Sequence, residues 1–251
     1  DLCIFADLIL MKTTNWFTAW FDTTYYHTLY KHRNDADAQF FMRNITSFLK
    51  LPKHSHIADL PCGKGRHSVY LNSLGYKVTG GDLSKNSIEY AQKFENETLH
   101  FEVWDMRTPL SKKYDAIFNL FTSFGYFDDD SEDIAILKNI KNGLQEKGVC
   151  VLDFLNVEKV KNSLVTDEIK TIDGIEFHIK RELKDGFILK HISFFADEKQ
   201  HNYTEQVKFL TLDKMEVYFE KAGLEIKHVF GDYALNDFDK NTSDRLILIA
   251  E

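Results

Sequence analysis

Two glycines lie just after an apolar run, in the segment Ile57-Ala58-Asp59-Leu60-Pro61-Cys62-Gly63-Lys64-Gly65-Arg66-His67. Gly63 and Gly65 let the backbone approach a ligand closely, because glycine has no side chain. The helix expected from Arg66 onwards presents free N–H groups in its first turn, and these favour a negatively charged group. The segment therefore predicts a binding turn between a strand and a helix.

Asp82 follows the next predicted strand, roughly 20 positions after the glycines, where nucleotide-binding folds hold the two hydroxyls of a ribose. Two simpler explanations remain open. The glycines could form a tight turn and nothing more, and Asp82 could simply precede Ser84, which is suited to begin a helix. Taken together, the two features favour a nucleoside-type cofactor at the carboxyl ends of the strands.

These residues need a framework of alternating strands and helices, and the apolar pattern indicates one. Strands are predicted at 57–60, 77–80, 99–103, 116–121 and 149–154. Helices are predicted at 66–74, from Ser84 onwards, and along an apolar stripe formed by Ile134, Leu137, Ile140 and Leu144. Strands separated by helices favour an α/β fold in which a parallel sheet has helices on both faces.

The end of the chain departs from this alternation. A helix that ends at Gly223 is followed by strands at 224–230 and 245–250. Because no helix separates these two strands, we expect them to be neighbours in a hairpin-like arrangement. The otherwise parallel sheet then gains an antiparallel edge.

An insertion interrupts the predicted core. Residues 168–210 alternate between apolar and polar positions and contain turn pairs at Asp173-Gly174 and Asp185-Gly186, which predicts an antiparallel β meander. The core domain is then expected to comprise residues 53–167 and 211–251. We also expect the meander to border the pocket of the substrate.

The N-terminal region is expected to form a helical cap over residues 11–52. Two helices are predicted there, the second capped by Asp35 and ended by Pro52. Residues 1–10 are apolar but lack a basic region and a small-residue cleavage site, so they do not resemble a targeting segment. We expect them to be upstream or non-native sequence, with the natural chain starting at Met11.

The composition excludes several classes of protein. The chain has 251 residues, of which 43% are hydrophobic and 28% charged, which is typical of a globular protein. Its formal net charge of −8 argues against nucleic acid as a partner, because phosphates would be repelled. Three cysteines without metal-binding spacing, at positions 3, 62 and 150, favour reduced thiols and a cytoplasmic location. No segment is long and apolar enough to predict a membrane span.

The chain resembles the class I S-adenosylmethionine-dependent methyltransferases over most of residues 25–251. DLPCGKGRH at 59–67 resembles the first motif of that family, VTGGDLS at 78–84 the second, and Asp105-Met106 the third. YDAIFNLFTSFGYF at 114–127 is similar to the fourth-strand motif of a small-molecule branch that includes amino-sugar and glycine N-methyltransferases. The resemblance implies a Rossmann-like, doubly wound sheet of seven mostly parallel strands with an antiparallel last strand.

The resemblance also implies S-adenosyl-L-methionine as the cofactor and a role for each matching residue. Gly63 and Gly65 would flank the methionine part, and Asp59 would reach its ammonium group. Asp82 would hold the ribose, and Asp105 the amino group N6 of the adenine.

The upstream pair Tyr30 and Arg33 resembles a helical segment that helps to bind the carboxylate of the cofactor. Pro61 stands where the family usually has glycine, which puts the detailed shape of that turn in doubt, although its carbonyl can still accept a hydrogen bond. The complete set of expected cofactor-binding residues is Tyr30, Arg33, Asp59, Pro61, Gly63, Gly65, Asp82, Leu83, Asp105, Met106 and Asn119.

The expected reaction is direct in-line methyl transfer to a nitrogen or oxygen of a small molecule, which depends mainly on positioning and needs no covalent intermediate. A nearby base would help with a hydroxyl or ammonium acceptor. The catalytic residues stay unassigned, with Asn119, Tyr126 and Asn156 as candidates. No metal site is expected: His54 and His56 lack further ligands, and His67 is expected at the surface or behind the site.

Other functions fit the sequence less well. A nicotinamide-dependent dehydrogenase would need a third glycine, which would fall at Ser68. A sensor of S-adenosylmethionine or S-adenosylhomocysteine without turnover and an RNA methyltransferase both remain alternatives, and a homodimer is also compatible with the sequence.

Overall fold

A computed structural model describes residues 16–31 and 35–251 of the protein. The strands, in chain order, are β1 His56–Asp59, β2 Lys77–Asp82, β3 Leu99–Val103, β4 Tyr114–Asn119, β5 Leu144–Leu155, β6 Asp167–Ile172, β7 Ile175–Lys184, β8 Phe187–Ala196, β9 Lys199–Lys208, β10 Ile226–Phe230 and β11 Arg245–Ala250. The helices are α1 Trp16–Phe21, α2 Thr24–Leu29, α3 Asp35–Leu49, α4 Arg66–Ser73, α5 Lys85–Ala91, α6 Asp130–Gly143, α7 Val157–Asn162 and α8 Leu212–Ala222.

The main sheet has seven strands in the order β10-β11-β5-β4-β1-β2-β3. The strands from β1 to β5 pair in parallel, whereas β11 is antiparallel to both of its neighbours, β5 and β10. The predicted fold class, including the antiparallel last strand, is therefore confirmed. Because β11 runs in the opposite direction, its first residue, Arg245, pairs with Leu155 at the carboxyl end of β5.

Helices cover both faces of this sheet. On one face α6 and α8 bury Ile136, Leu137 and Phe219 against the strands. On the other face α3, α4 and α5 pack through Phe41, Leu71 and Ile88, among others. Two hydrophobic layers therefore enclose the sheet, and the carboxyl edge of the parallel strands stays available for a site.

A separate four-stranded antiparallel sheet, in the order β6-β7-β8-β9, confirms the predicted meander. The turn pairs Asp173-Gly174 and Asp185-Gly186 have positive φ at both positions, as tight hairpin turns require. A further turn at Asp197-Glu198 has the same backbone form without glycine, which the sequence does not predict. One face of this sheet packs on Trp20 of α1 and Leu29 of α2.

Several boundaries differ from the sequence prediction. Three helices, α1 to α3, occupy the described part of the N-terminal region where two are predicted. Leu144 begins β5 instead of ending α6, because the backbone turns from helical to extended after Gly143. The short helix α7 was not predicted. The expectations for residues 1–10 and for Arg33 lie outside the described residues, and the division into domains stays a prediction.

Two predicted helix ends are confirmed, and a further cap at Asp129 is found. Ser84 caps α5 by accepting a hydrogen bond from the amide of Ser87, and Gly223 ends α8 in the left-handed conformation. Asp129 caps α6 through the amide of Ser131. Among the helices in the described ranges, none has the length and apolar character needed to cross a membrane.

Candidate functional site

A cavity of about 970 Å³ opens at the carboxyl edge of the main sheet. Its walls come from the loops after β1, β2 and β4, from α1 and α2, and from β9 of the smaller sheet. Among the residues predicted to bind a cofactor, those that line it are Tyr30, Pro61, Gly63, Asp82, Leu83, Asp105 and Met106. Seven of the eleven residues predicted to bind the cofactor therefore lie at the cavity.

The glycine turn is joined to Asp82 by a backbone hydrogen bond. The amide of Gly63 donates to Oδ2 of Asp82 at 2.8 Å, and the amide of Ser84 donates to Oδ1 at 2.8 Å. Burial raises the pKa of Asp82, and these two amide hydrogen bonds oppose that rise. The carboxylate thus faces the cavity while it fixes the ends of two neighbouring strands.

Glycine is favoured at positions 63 and 65 for different structural reasons. Gly63 has a φ of +55°, and a Cβ built there would meet nothing within 4 Å, so the turn leaves open space for a ligand. Gly65 has a φ of +83°, and a Cβ there would lie 2.7 Å from ring atoms of Phe101. Gly65 is buried outside the cavity, and close packing on Phe101 explains it.

Asp59 lies beneath this turn with no exposed surface. Its Oδ2 accepts a 2.6 Å hydrogen bond from the hydroxyl of Ser68, whereas Oδ1 has no partner among the described residues. Burial raises the pKa of Asp59 to about 7, and the nearby carboxylate of Asp82 adds to the rise. Asp59 does not line the cavity, so an ammonium group in the cavity would reach it only through an intervening group such as water.

Asp105 is held by Arg107 at the mouth of the cavity. The guanidinium donates through Nη2 to Oδ2 at 2.6 Å and through Nε to Oδ1 at 3.0 Å. These hydrogen bonds lower the pKa of Asp105. The carboxylate is therefore ionised and oriented as a hydrogen-bond acceptor, as an amino group on a base would require.

Tyr30 meets the smaller sheet at Glu205, which the sequence analysis missed. The Tyr30 hydroxyl lies 2.7 Å from both carboxylate oxygens of Glu205, and Nε1 of Trp20 donates to Oε1 at 2.7 Å. Lys190 also donates to the Tyr30 hydroxyl. Glu205 and Val207 line the cavity, so the meander borders it. That this cavity receives the substrate stays a prediction.

The turn after β4 is strained and buttressed from below. Phe121 and Thr122 both have a φ of +63°, which side-chain-bearing residues rarely adopt. The fully buried Asp153 holds this turn: its Oδ2 accepts from the amide of Phe121 at 3.0 Å, and its carbonyl accepts from the amide of Thr122 at 2.9 Å. Arg245 donates from Nε to Oδ1 of Asp153 at 2.7 Å.

Only one of the three catalytic candidates lines the cavity. Tyr126 does so, and its hydroxyl donates to the carbonyl of Thr122 at 2.7 Å. Asn119 is 1% exposed and donates to the carbonyl of Ser123 at 3.3 Å. Asn156 caps α7 and donates to the carbonyl of Ser243 at 2.9 Å, away from the cavity. The positions of both asparagines thus favour structural roles.

His67 was predicted at the surface or behind the site, and the structure buries it at the cavity wall. It is 6% exposed, lines the cavity, and has no hydrogen-bond partner for Nε2 among the described residues. Burial lowers its pKa to about 3, with a further contribution from the charge of Arg66. The imidazole is therefore neutral near pH 7. Within the described ranges, His, Cys, Asp and Glu side chains form no group of three or more that could hold a metal ion.

Comparisons with known proteins place this geometry in context. The family model of the tellurite resistance protein TehB matches residues 13–177. A putative methyltransferase, YqeM, of Bacillus subtilis (strain 168) is 25% identical over 197 residues, which is 73% of this chain and 78% of the relative. The dTDP-3-amino-3,4,6-trideoxy-alpha-D-glucopyranose N,N-dimethyltransferase of Streptomyces venezuelae is 24% identical over 192 residues, covering 72% and 80% of the two chains.

One solved structure is similar to this protein over most of the length of both chains. An S-adenosylmethionine-dependent methyltransferase from Clostridium acetobutylicum ATCC 824 superimposes with a TM-score of 0.77 at 20% identity. The match covers 90% of this chain and 95% of the other. This likeness shows a shared Rossmann-like fold.

Proposed function

Because the chain belongs to the TehB family of S-adenosylmethionine-dependent methyltransferases, we propose that it transfers a methyl group to a nitrogen or oxygen of a small molecule. One observation carries the proposal. The same cavity is lined by the carboxylates Asp82 and Asp105 and by aromatic side chains that include Tyr126. Its volume of about 970 Å³ is near the upper end of the roughly 300–1,000 Å³ usual for small-ligand pockets, which favours room for two molecules.

The cofactor side fits S-adenosylmethionine by its chemistry. Asp82 and Asp105 offer ionised or hydrogen-bonded acceptors, which suit ribose hydroxyls and an adenine amino group respectively. The open space beside Gly63 suits close approach of a ligand to the backbone. Asp59 lies behind the turn with an unpartnered Oδ1, and in its ionised form it favours an ammonium group in front of the turn.

When bound, S-adenosylmethionine supplies a methyl group on a positively charged sulfur. The chain's own contribution is to place the acceptor and to keep water out. Aromatic rings on the cavity wall favour a cationic centre through their negative faces, and they form an apolar lining. Those rings are Trp16, Phe17, Phe21, Tyr26, Phe121, Tyr126 and Phe127.

No side chain in this arrangement needs to form a covalent bond with the acceptor. The hydroxyl of Tyr126 already donates to a carbonyl, so its oxygen can accept a hydrogen bond from a ligand. We propose that Tyr126 orients the acceptor by this contact. Positioning of this kind supplies most of the acceleration that an in-line transfer requires.

The relatives support a small-molecule acceptor. The Streptomyces venezuelae relative is named for methylation of the amino group of a dTDP-linked sugar. The net charge of −8 agrees with an acceptor other than nucleic acid. A homodimer and a cytoplasmic location stay predictions from the sequence.

The decisive experiment is a calorimetric titration of the purified protein with S-adenosylmethionine, S-adenosylhomocysteine and NADH. We expect micromolar binding of the first two and none of NADH. An acceptor screen with S-adenosylmethionine labelled in its methyl group then follows, and label in a small-molecule product is the expected outcome. Tight binding without turnover on any acceptor would favour a sensor, and binding of NADH alone would refute the proposal.

A further inference from the structure

The smaller sheet has an open edge at β6. The strand order places β6 and β9 at its two edges. β9 is covered in part, because Nε1 of Trp20 donates to Glu205 and the amide of Lys208 donates to the carbonyl of Gly125 at 2.7 Å. Among the described residues, β6 pairs with β7 alone. An edge of this kind offers its backbone groups to a further strand.

The hydrogen-bonding pattern shows which backbone groups of β6 are unused. Just before the strand, the carbonyl of Thr166 accepts from the amide of Arg181 at 2.7 Å. Antiparallel strands alternate between hydrogen-bonded and non-hydrogen-bonded pairs, so Glu168 and Lys170 also hydrogen-bond to β7. The amides and carbonyls that point away from β7 are those of Asp167, Ile169 and Thr171. Within the described ranges, no backbone hydrogen bond uses these groups.

The same edge exposes apolar side chains. Ile169 is 62% exposed, and Val165, just before the strand, is 58% exposed. Among the large apolar side chains in the part of the chain that the structure describes, only Phe195 is more exposed than Ile169. An apolar side chain beside unused backbone groups favours association with another strand.

The charges of β6 are complementary to those of a second β6 in one register. A two-fold axis at Ile169 places this residue opposite its own copy and Glu168 opposite Lys170 of the second copy. The backbone groups that point away from β7 then meet each other. Moving the axis to Glu168 brings two glutamates together, and moving it to Lys170 brings two lysines together. Because like charges directly opposite each other are destabilising, the register centred on Ile169 is favoured.

We propose that β6 pairs antiparallel with β6 of a second copy of this chain, so that the two smaller sheets form one eight-stranded sheet across a homodimer. Ile169 lies at the two-fold axis. The strand has only six residues, so the interface is small and the association depends on protein concentration. None of the residues of β6 lines the cavity, and the inference does not depend on the proposed function.

Analytical ultracentrifugation of the full chain, from micromolar to submillimolar concentration, tests the association. The dimer fraction of the parent is expected to rise over this range. Lys170→Glu places glutamates opposite each other twice in the proposed register, so the dissociation constant should rise roughly tenfold or more. Lys199→Glu makes the same change of charge at an exposed lysine of β9 and should dimerise as the parent does.

Cysteine cross-linking tests the register itself. Opposite residues of a hydrogen-bonded antiparallel pair have Cα atoms about 5.5 Å apart, a separation that a disulfide can span. Mild oxidation of Ile169→Cys should therefore give a covalent dimer on non-reducing electrophoresis. Thr171→Cys is the matched control, because position 171 lies opposite Asp167 of the second copy and not opposite itself. The parent protein controls for the cysteines at positions 3, 62 and 150.

The outcomes are distinct from those that test the proposed function. A parent protein that stays monomeric over the whole range would overturn the inference, even if it binds S-adenosylhomocysteine. Equal dimerisation of the parent and a folded Lys170→Glu variant would assign the association to another surface and also overturn it. Equal cross-linking of Ile169→Cys and Thr171→Cys would overturn it as well, and this comparison decides the question if Lys170→Glu does not fold.

Discussion

The amide of Gly63 donates a 2.8 Å hydrogen bond to the carboxylate of Asp82, which joins the turn after β1 to the end of β2. The same carboxylate accepts from the amide of Ser84, at the start of α5. A ligand hydroxyl bound by Asp82 must therefore share the carboxylate with two amides. This arrangement makes Asp82 both a support of the turn and a contact surface of the cavity.

Asp82→Ala is expected to lower the affinity for S-adenosylhomocysteine at least tenfold, because a hydrogen bond to a charged group contributes about 1.5–3 kcal/mol. Calorimetry measures the loss directly. Asp232→Ala is the matched control, since Asp232 accepts hydrogen bonds in a turn outside the cavity. Equal affinities for the two variants would mean that the ribose lies elsewhere.

Asp105 should determine the preference for adenine. If its carboxylate accepts from N6, the parent protein should bind S-adenosylhomocysteine roughly tenfold more tightly than S-inosylhomocysteine, whose oxygen at that position would repel it. Asp105→Asn should lower this ratio of affinities, because the asparagine side chain can donate a hydrogen bond to the oxygen of S-inosylhomocysteine as well as accept one from N6 of S-adenosylhomocysteine. Asp115→Asn, which alters a carboxylate outside the cavity, should keep the ratio of the parent. If Asp105→Asn keeps the affinity ratio of the parent, Asp105 does not accept a hydrogen bond from N6 of the adenine.

The buried Asp59 predicts a pH dependence of stability. Its pKa is about 7 in the folded protein, against an ordinary value of 3.8. Between these values the folded protein holds a proton that the unfolded chain has lost, so the free energy of unfolding falls as the pH rises from about 4 to 7 and is then constant. Asp59→Asn removes this titration.

The stability of Asp59→Asn relative to the parent should therefore increase by roughly 2–4 kcal/mol between pH 4 and pH 7. Urea unfolding at several pH values measures this difference. Other buried acids, such as Asp133, titrate in both proteins, so their contributions cancel in the difference between the two free energies of unfolding. A difference that does not change with pH would show that Asp59 is ionised throughout the range.

Lys208 should matter far more to stability than its neighbour Lys214. Lys208 has a side chain that is 3% exposed and contacts the fully buried Asp133 at 2.7 Å as well as Asp130 at 2.8 Å. Lys208→Met should lower the free energy of unfolding by about 3–5 kcal/mol at pH 8, because it leaves a buried carboxylate without its counter-charge. Lys214 contacts the more exposed Asp130 at 3.5 Å, and its Nζ lies 5.6 Å from the centre of the Tyr218 ring. Because these contacts are at the surface, Lys214→Met should lower the free energy of unfolding by at most about 1 kcal/mol. If the two variants lose similar amounts of unfolding free energy, Lys208 does not matter more to stability than Lys214.

Much of the fold could be predicted because its signals are local. The apolar runs of the core strands, the cap at Ser84 and the stop at Gly223 each depend on neighbouring residues. Leu144 shows the limit of this reasoning, since its spacing fits the stripe of α6 while its backbone belongs to β5. The six-residue helix α7 is too short to produce a clear periodic pattern.

The candidate site was predictable only where a motif lies in one stretch of sequence. The glycine turn and Asp82 both lie at the cavity, as predicted, whereas the hydrogen bond between them was not predicted, and their roles toward a cofactor stay predictions. Glu205 was missed because nothing near it in sequence indicates that it meets Trp20. The place of His67 in the cavity lining was missed because it depends on the fold around the start of α4 rather than on its neighbours in sequence.

Trp20 lies 185 positions before Glu205, and Arg245 lies 123 positions beyond Thr122. During translation, a chain that has emerged only as far as β8 already contains the glycine turn and Asp82 but lacks two walls of the cavity. Contacts between distant positions form late in folding, so such nascent chains should not sequester the cofactor. Ligand binding then reports on completed synthesis, and a fragment cut within the meander should behave like an unfinished chain.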